Sequence, residues 1–341
     1  MVPRGSKVEL KNGCRLILSD PQGKEMWTFG SNNSELAYGF VNDTGNFVIV
    51  DSISRKIWES FRFPTDTILP TQVMEREEEI NSKISETNFT TGRFQLRLLK
   101  DGNLILRKRD IPSGILYNVY YRSNTCDDTS KTNSGLQLIF DESGYMYILK
   151  ESDQIFELNK KDALPSKLYY QRATLDSDGV FTQYYYLKNP TGNTSWEVLW
   201  SLSKNICNRI DGTDGSGACG LNNVCSLDGN LANCECPQGF SLLDPMIQME
   251  IASLISQTCD KGYDRDRFGF IELTNIDWLE SDYVRVQPTT EENCKTFCLQ
   301  DCFCVVAIYS VTSPKSTCGV LPLGGVTDQD PATNHIEQVY K

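Results

Sequence analysis

Along the first two hundred residues, apolar side chains recur at every second position or run unbroken for four or five. Lys7-Val8-Glu9-Leu10, Arg15-Leu16-Ile17-Leu18, Asn46-Phe47-Val48-Ile49-Val50, Phe94-Gln95-Leu96-Arg97-Leu98 and Asn103-Leu104-Ile105-Leu106 carry this pattern. A period of two puts one set of side chains on one face of a pleated strand, and a short unbroken run suits a strand covered on both faces. Turn pairs stand between the runs: Asn12-Gly13, Thr44-Gly45, Asp101-Gly102, Ser143-Gly144 and Asp178-Gly179. Glycine accepts the positive φ of a tight hairpin, so each glycine-x-apolar-x-apolar unit reads as a hairpin arm. No helical period is sustained here, and the expectation is all-β. The glycines are irregularly spaced, which argues against a solenoid and suits two small β domains, each made of several similar sheets. A break is expected near Gln72 to Thr91, where Glu75-Arg76-Glu77-Glu78-Glu79 reads as a solvated connector.

Near Leu202 the pattern changes. Cys207 to Cys236 is tightly spaced in cysteine and rich in Gly, Asn and Asp. Farther on, Cys294, Cys298 and Cys302 stand at i, i+4 and i+8, which lines one face of a short helix. Glu291 and Glu292 at its start suit the positive end of the helix dipole. Cys304 to Tyr309 then reads as a buried strand, so a helix stapled to a sheet by disulfides is expected.

Composition narrows the function classes. The 341 residues suggest two or three domains, and 33 basic against 45 acidic residues give a formal charge of −12. Such a surface repels phosphate backbones and anionic lipid, which disfavours nucleic acid and membrane surfaces as partners. The single histidine, His335, removes most histidine-based metal sites and catalytic triads and is read as a surface residue. Eleven of the thirteen cysteines follow residue 206, a density that belongs to oxidising compartments. Sequons at Asn32, Asn42, Asn88 and Asn193 point the same way, to glycosylation on the secretory route. Neither a signal peptide nor a stretch able to span a bilayer is read in the chain. The Cys-x-Cys pairs Cys234/Cys236 and Cys302/Cys304 are one residue short of a zinc knuckle, and Asp211-Gly212-Thr213-Asp214 reads as a turn rather than a calcium loop. No metal, cofactor or catalytic residue is therefore expected.

Three longer motifs are more specific. Gly45-Asn46-Phe47-Val48-Ile49, followed by Ile57-Trp58-Glu59-Ser60-Phe61-Arg62-Phe63-Pro64-Thr65-Asp66-Thr67-Ile68-Leu69-Pro70, closely resembles the end of a bulb-type (mannose-binding) lectin domain of plant receptor-like kinases. Cys219-Gly220-Leu221-Asn222 through Cys234-Glu235-Cys236-Pro237-Gln238-Gly239-Phe240, and then Cys294 through Cys318, are similar to the EGF-like and PAN/apple modules that follow in that family. The resemblance is to the ectodomain of a G-type lectin S-receptor-like serine/threonine kinase. It implies a mainly β fold with bulb-type lectin (β-prism II) domains, then a disulfide-rich EGF-like module and an α+β PAN/apple module. The implied division is 1–75 for the end of a first lectin domain, 76–91 linker, 92–202 second lectin-like domain, 203–258 EGF-like and 259–341 PAN/apple. By the same comparison the chain starts inside the first lectin domain, and its strands around Leu16 and Val48 are expected to expose unpaired edges and apolar faces. The family's membrane helix and kinase domain would follow Lys341, so membrane attachment is expected only through that helix. No glycine-rich phosphate loop, strand lysine or catalytic-loop aspartate is read here, so this chain is not expected to be an enzyme.

Bulb-type lectins, which the lectin-type motif resembles, hold mannose on a Gln-x-Asp-x-Asn-x-Val-x-Tyr strand. Aligning Asn46 places Asn42, Thr44, Asn46, Val48 and Val50 on that pattern, and aligning Asn103 places Leu99, Asp101, Asn103, Ile105 and Arg107. Asp101, Asn103, Asn42 and Asn46 are thus the candidate sugar ligands of a degenerate site, with Asp101 and Asn103 as simple turn residues the competing reading. The EGF pattern implies Cys207–Cys225 and Cys219–Cys234. Cys236–Cys259 follows if Cys259 closes that module; otherwise Cys259 joins the PAN set and Cys236 stays unpaired. Within PAN, Cys294–Cys318 and Cys298–Cys304 are expected, with Cys302 left over and Cys14 and Cys126 as extra small hydrophobes. Two functions remain. One is an extracellular ligand-recognition region (glycan, lipid or peptide) of a plasma-membrane receptor kinase that signals by oligomerisation. The other is a scaffold without sugar affinity that mediates homo- or hetero-oligomers through the EGF and PAN modules or binds protein, peptide or lipid.

Overall fold

The computed structural model describes residues 2–11, 15–29, 36–111, 113–126, 133–161 and 164–202, and then 205–207, 218–219, 223–228, 231–236, 240–242, 252–254, 269–273, 284–301, 304, 306–312, 315–321, 327–328 and 336–340. Contacts group the chain into two units, one of 1–105, 122–176 and 181–200, the other of 106–121, 177–180 and 201–341.

The chain opens with two three-stranded antiparallel sheets. β1 (Lys7–Lys11), β2 (Arg15–Ser19) and β3 (Glu25–Phe29) form the first; β4 (Leu36–Val41), β5 (Phe47–Asp51) and β6 (Lys56–Glu59) form the second. β2 and β5 are the central strands, so Leu16 and Val48 are paired on both sides and buried, not at open edges as the sequence led us to expect. Exposure falls on the flanking strands, at Trp27 (45%) and Tyr38 (49%).

Three four-stranded sheets follow. β7 (Thr67–Ile68), β8 (Val73–Glu75), β9 (Glu79–Ser85), β10 (Asn88–Leu98), β11 (Leu104–Arg109) and β12 (Leu116–Arg122) come first. β13 (Gly135–Phe140), β14 (Met146–Lys150), β15 (Ile155–Glu157), β16 (Tyr169–Leu175), β17 (Phe181–Leu187) and β18 (Glu197–Ser201) complete them. The orders are β12-β11-β10-β9, β15-β14-β13-β8 and β18-β17-β16-β7. Ile68, Met74, Phe94, Leu96, Leu138 and Phe140, drawn from all three, are each at most 1% exposed.

The expected connector 76–91 is therefore sheet, and this set of strands already begins at Thr67, where Ile68 pairs with Ala173. The reason is physical. β9 does alternate, with Ile80 and Ser82 buried, but Glu79, Asn81 and Lys83 between them and the polar Ser82 itself hide the period. Those charges are paired across the strands: Arg97 lies 3.3 Å from Glu77 and 3.2 Å from Glu79, its register partner.

One turn recurs in both sets of sheets. At 42–46, 99–103 and 141–145 the first residue's N–H donates to the fifth residue's carbonyl, and the fourth residue's N–H returns to the first carbonyl. The fourth residue is glycine at positive φ: Gly45 +87°, Gly102 +89°, Gly144 +90°. This is the type I turn with a glycine bulge that twists a hairpin correctly.

Beyond residue 201 the strands are short: β19 (Val224–Asp228) and β20 (Leu231–Glu235), β21 (Phe240–Leu242) and β22 (Ala252–Leu254), β23 (Gly269–Leu273) and β24 (Val284–Val286). Helix α1 (Glu291–Gln300) precedes β25 (Val306–Thr312), β26 (Lys315–Leu321), β27 (Thr327–Asp328) and β28 (Ile336–Tyr340). Thr290 caps α1 by accepting from Asn293 N at 3.3 Å, and Lys295 pairs with Glu291 one turn earlier. The helix packs by Cys294 and Cys298 on Cys304, just before β25, and on Ala307 and Cys318 of the five-stranded sheet β23-β28-β25-β26-β24, so a helix bound to a sheet by a cystine, Cys294–Cys318, is present.

Candidate functional site

The two candidate strands start from equivalent turns, and their asparagines are used inside the protein. Asn103 is fully buried; its Oδ1 accepts from Thr125 N at 3.0 Å and its Nδ2 donates to Asp101 Oδ2 at 3.2 Å. Asp101 Oδ1 in turn accepts from Asn103 N at 2.9 Å. Asn46 is 5% exposed; its Oδ1 accepts from Ser60 Oγ (3.1 Å) and Phe61 N (3.2 Å), and its Nδ2 donates to Glu59 Oε2 at 2.8 Å. Burial pushes the Glu59 carboxyl up, but the Lys56 and Asn46 hydrogen bonds, with the charges of Lys56 and Arg62, outweigh it and hold Glu59 below the usual carboxylate range. Asn42 is half-buried, and its Oδ1 accepts from Thr44 N, Thr44 Oγ1 and Asn46 N. The fold brings Asn42 and Asn46 together in one turn and Asp101 and Asn103 in another. In each pair the hydrogen-bonding atoms stabilise the turn.

A separate cleft, which sequence reasoning missed, lies between the 42–45 turn and the outer part of the β16–β18 sheet. Its volume is about 530 Å³, and the residues lining it include Leu69, Tyr169, Tyr170, Gln171, Lys188 and Trp196. Tyr170 is 54% and Trp196 39% exposed. Lys188 Nζ stands 5.1 Å from the Tyr170 ring centre and the Arg172 guanidinium 4.6 Å from that of Trp196, contacts that orient the rings. Behind Gln171 a buried amide chain fixes the wall. Gln171 Oε1 accepts from Gln183 Nε2 (2.8 Å), and the Gly144 carbonyl accepts from both Gln183 (2.9 Å) and Asn159 (2.8 Å). A Cβ at Gly144 would stand 2.1 Å from Gln171 Oε1, so the chain approaches this network only through glycine. The cleft joins residues more than a hundred positions apart, and no local sequence pattern marks it.

The cysteines divide between bonded and free. Cys207–Cys225, Cys219–Cys234, Cys294–Cys318 and Cys298–Cys304 are disulfides, with Cα separations of 5.6, 5.4, 5.5 and 5.2 Å. Cys236 is instead a free thiol donating to Asn223 Oδ1 at 3.2 Å, so the expected Cys236–Cys259 bridge is not formed. Cys126 is also free, while Cys14, Cys259, Cys302, Asn32, His335 and the 211–214 segment lie outside the described residues. Among the described residues no group of three or more His, Cys, Asp or Glu is placed to hold a metal ion, and no helix is long and apolar enough to cross a membrane. Of the sequons, Asn88 sits at the start of β10 and Asn193 on an exposed loop.

Comparison with known proteins bears on this arrangement. A family model described as D-mannose binding lectin (B_lectin) matches residues 3–88. The chain is 36% identical over 332 residues to the G-type lectin S-receptor-like serine/threonine-protein kinase LECRK3 of Oryza sativa subsp. indica, covering 93% of this chain and 39% of the relative. It is 34% identical over 329 residues to the kinase RLK1 of the same description from Arabidopsis thaliana, covering 91% of this chain and 38% of the relative. Among solved structures, the mannose-specific agglutinin of snowdrop (Galanthus nivalis) bulbs, complexed with methyl-α-D-mannoside, is 16% identical with a TM-score of 0.26, covering 38% of this chain and 98% of that one. A two-domain Scilla campanulata agglutinin is 12% identical with a TM-score of 0.26, covering 59% of this chain and 90% of that one. The chain spans about two fifths of the length of the curated relatives, 39% in the first case. Over that stretch its relatives are G-type lectin S-receptor-like serine/threonine-protein kinases, and residues 3–88 carry the match to the D-mannose binding lectin model.

Proposed function

We propose that this region is the extracellular recognition part of a plasma-membrane receptor kinase, and that the Asn46 and Asn103 strands serve it as scaffold rather than as mannose sites. The observation that supports this reading is the internal use of both carboxamides. A sugar hydroxyl can displace neither without leaving Thr125 N or Phe61 N unpaired in a buried turn, at a cost of about 1–3 kcal/mol each. The recognition of glycan, lipid or peptide is then carried by other surfaces of the ectodomain. A glycan array on the secreted, oxidised chain, repeated with free mannose, tests the reading. No mannose-competable signal is expected. Competable binding that Asp101→Ala abolishes would overturn it and restore the Asp101/Asn103 site.

Signalling by oligomerisation through the disulfide-rich modules, EGF-like at 203–258 and PAN/apple at 259–341, belongs to the same proposal. The disulfides Cys294–Cys318 and Cys298–Cys304, which pin α1 to its sheet, support a rigid face for such contacts. Light scattering of the chain over a concentration series is expected to show the mass rising above 38.5 kDa. A constant monomer mass counts against it.

A further inference from the structure

Asn42 is both the acceptor of a sequon, Asn42-Asp43-Thr44, and a residue lining the cleft. Its turn leaves it in one orientation. Oδ1 takes three donors, Thr44 Oγ1 (2.7 Å), Asn46 N (2.9 Å) and Thr44 N (3.2 Å), which assigns the oxygen and leaves Nδ2 with no acceptor among the described residues. The turn is also seated firmly. A Cβ at Gly45 would lie 3.0 Å from Leu69 Cδ1, and Leu69 also lines the cleft. Asn42 is therefore held in the lining of the cleft with only its amide nitrogen without a partner among the described residues.

The cleft suits a particular chemistry. Tyr169, Tyr170 and Trp196 offer ring surface on which the C–H face of a pyranose stacks. Lys167 and Lys188 are balanced by Asp43 and Glu142, which favours a neutral ligand with several hydroxyl or amide groups over an anion. A volume of about 530 Å³ lies within the range of small-ligand sites, ~300–1,000 Å³.

We propose that this cleft is the seat of the chain's own N-linked glycan, carried on Asn42, with the neutral N-acetylhexosamine core laid against Tyr170 and Trp196. On attachment the Asn42 Nδ2–C1 bond forms while the C1–O bond to a lipid-diphosphate-linked oligosaccharide donor breaks. The diphosphate leaves with the electron pair, and Nδ2 releases one proton. The glycan then ties the 42–45 turn to the β16–β18 sheet, and a free saccharide is kept out of this face. This holds whether or not the Asp101 strand binds mannose.

Asn88 supplies the control, because its Oδ1 accepts from Thr90 Oγ1 (2.7 Å) and Thr90 N (3.2 Å) just as Asn42 does with Thr44, yet it is not part of the cleft. The full chain, secreted from a eukaryotic host, is treated under native conditions with a peptide:N-glycosidase, and release at each site is followed by mass spectrometry. Asn42 is expected to be occupied and released roughly tenfold more slowly than Asn88, the size of one aromatic stacking contact. Trp196→Ala and, separately, Tyr170→Ala are expected to speed release at Asn42 and leave Asn88 unchanged. An empty Asn42 beside a filled Asn88, equal release in the unsubstituted chain, or slow release that neither substitution affects would each overturn the proposal.

Discussion

The hairpin turns at 42–46 and 99–103 share their backbone hydrogen bonds, a glycine near +88° and a buried asparagine at the fifth position. Their surroundings differ. Around the first, Trp27, Tyr38 and Phe40 remain more than 40% exposed on two three-stranded sheets. Around the second, three four-stranded sheets bury Phe94, Leu96, Leu98 and Leu104 completely. A turn is a local object, fixed by one glycine and one carboxamide, and it forms in either setting. Closing a core is collective, since each sheet's apolar face has to find another's. The turn is thus common to both settings, whereas stability is set by the collective part.

The strongest way to break this comparison is to truncate one large aromatic in each set of sheets. Phe94→Ala removes a ring that is 0% exposed and is expected to cost about 3–5 kcal/mol of stability. Trp27→Ala, at a ring 45% exposed in the first sheet, is expected to cost under about 1 kcal/mol despite the larger side chain. Urea unfolding of the two variants reads the difference directly. Equal losses would mean that the first set of sheets is packed as tightly as the second.

The same contrast governs what the sequence made legible. Arg15–Leu18, Phe47–Val50, Phe94–Leu98 and Leu104–Leu106 all lie in strands, because alternating or unbroken apolar runs are local signals. The helix at Glu291–Gln300 was legible from cysteines four apart behind an acidic start. Strand β9 was not, since Glu75-Arg76-Glu77-Glu78-Glu79, which runs into its start, reads as a solvated connector until Arg97 arrives from the neighbouring strand to pair with Glu79. For the candidate site the types were legible and the roles were not. Asp101 and Asn103 fit a sugar-ligand pattern, but only the fold reveals Thr125 N behind Asn103, 22 residues on. The cleft is a tertiary product of Asn42 and residues around 170–196, and has no signature in one segment.

A smaller effect sharpens the comparison within the first set of sheets, where two carboxyls are held below the carboxylate range. Burial raises Asp51, but backbone N–H groups of Arg55 and Ile53 and the Arg55 charge lower it further; Glu59 is held down by Lys56 and Asn46. A carboxyl depressed on folding contributes stability that is fully present above its unfolded value, about 4.5 for Glu59, and is lost as pH falls through the folded value. Hydrogen exchange of peptides covering 47–59, corrected for intrinsic rates, is therefore expected to lose protection as pH drops below about 4.5. Asn46→Ala removes one of the hydrogen bonds that depress Glu59, so it is expected to lower protection at pH 6 and to flatten the acid dependence. Lys56→Met removes a second contributor and is expected to flatten it further. An acid dependence that persists unchanged in both variants would place its origin away from Glu59. The turn asparagine would then be a packing element only, with no electrostatic share in holding β5 to β6.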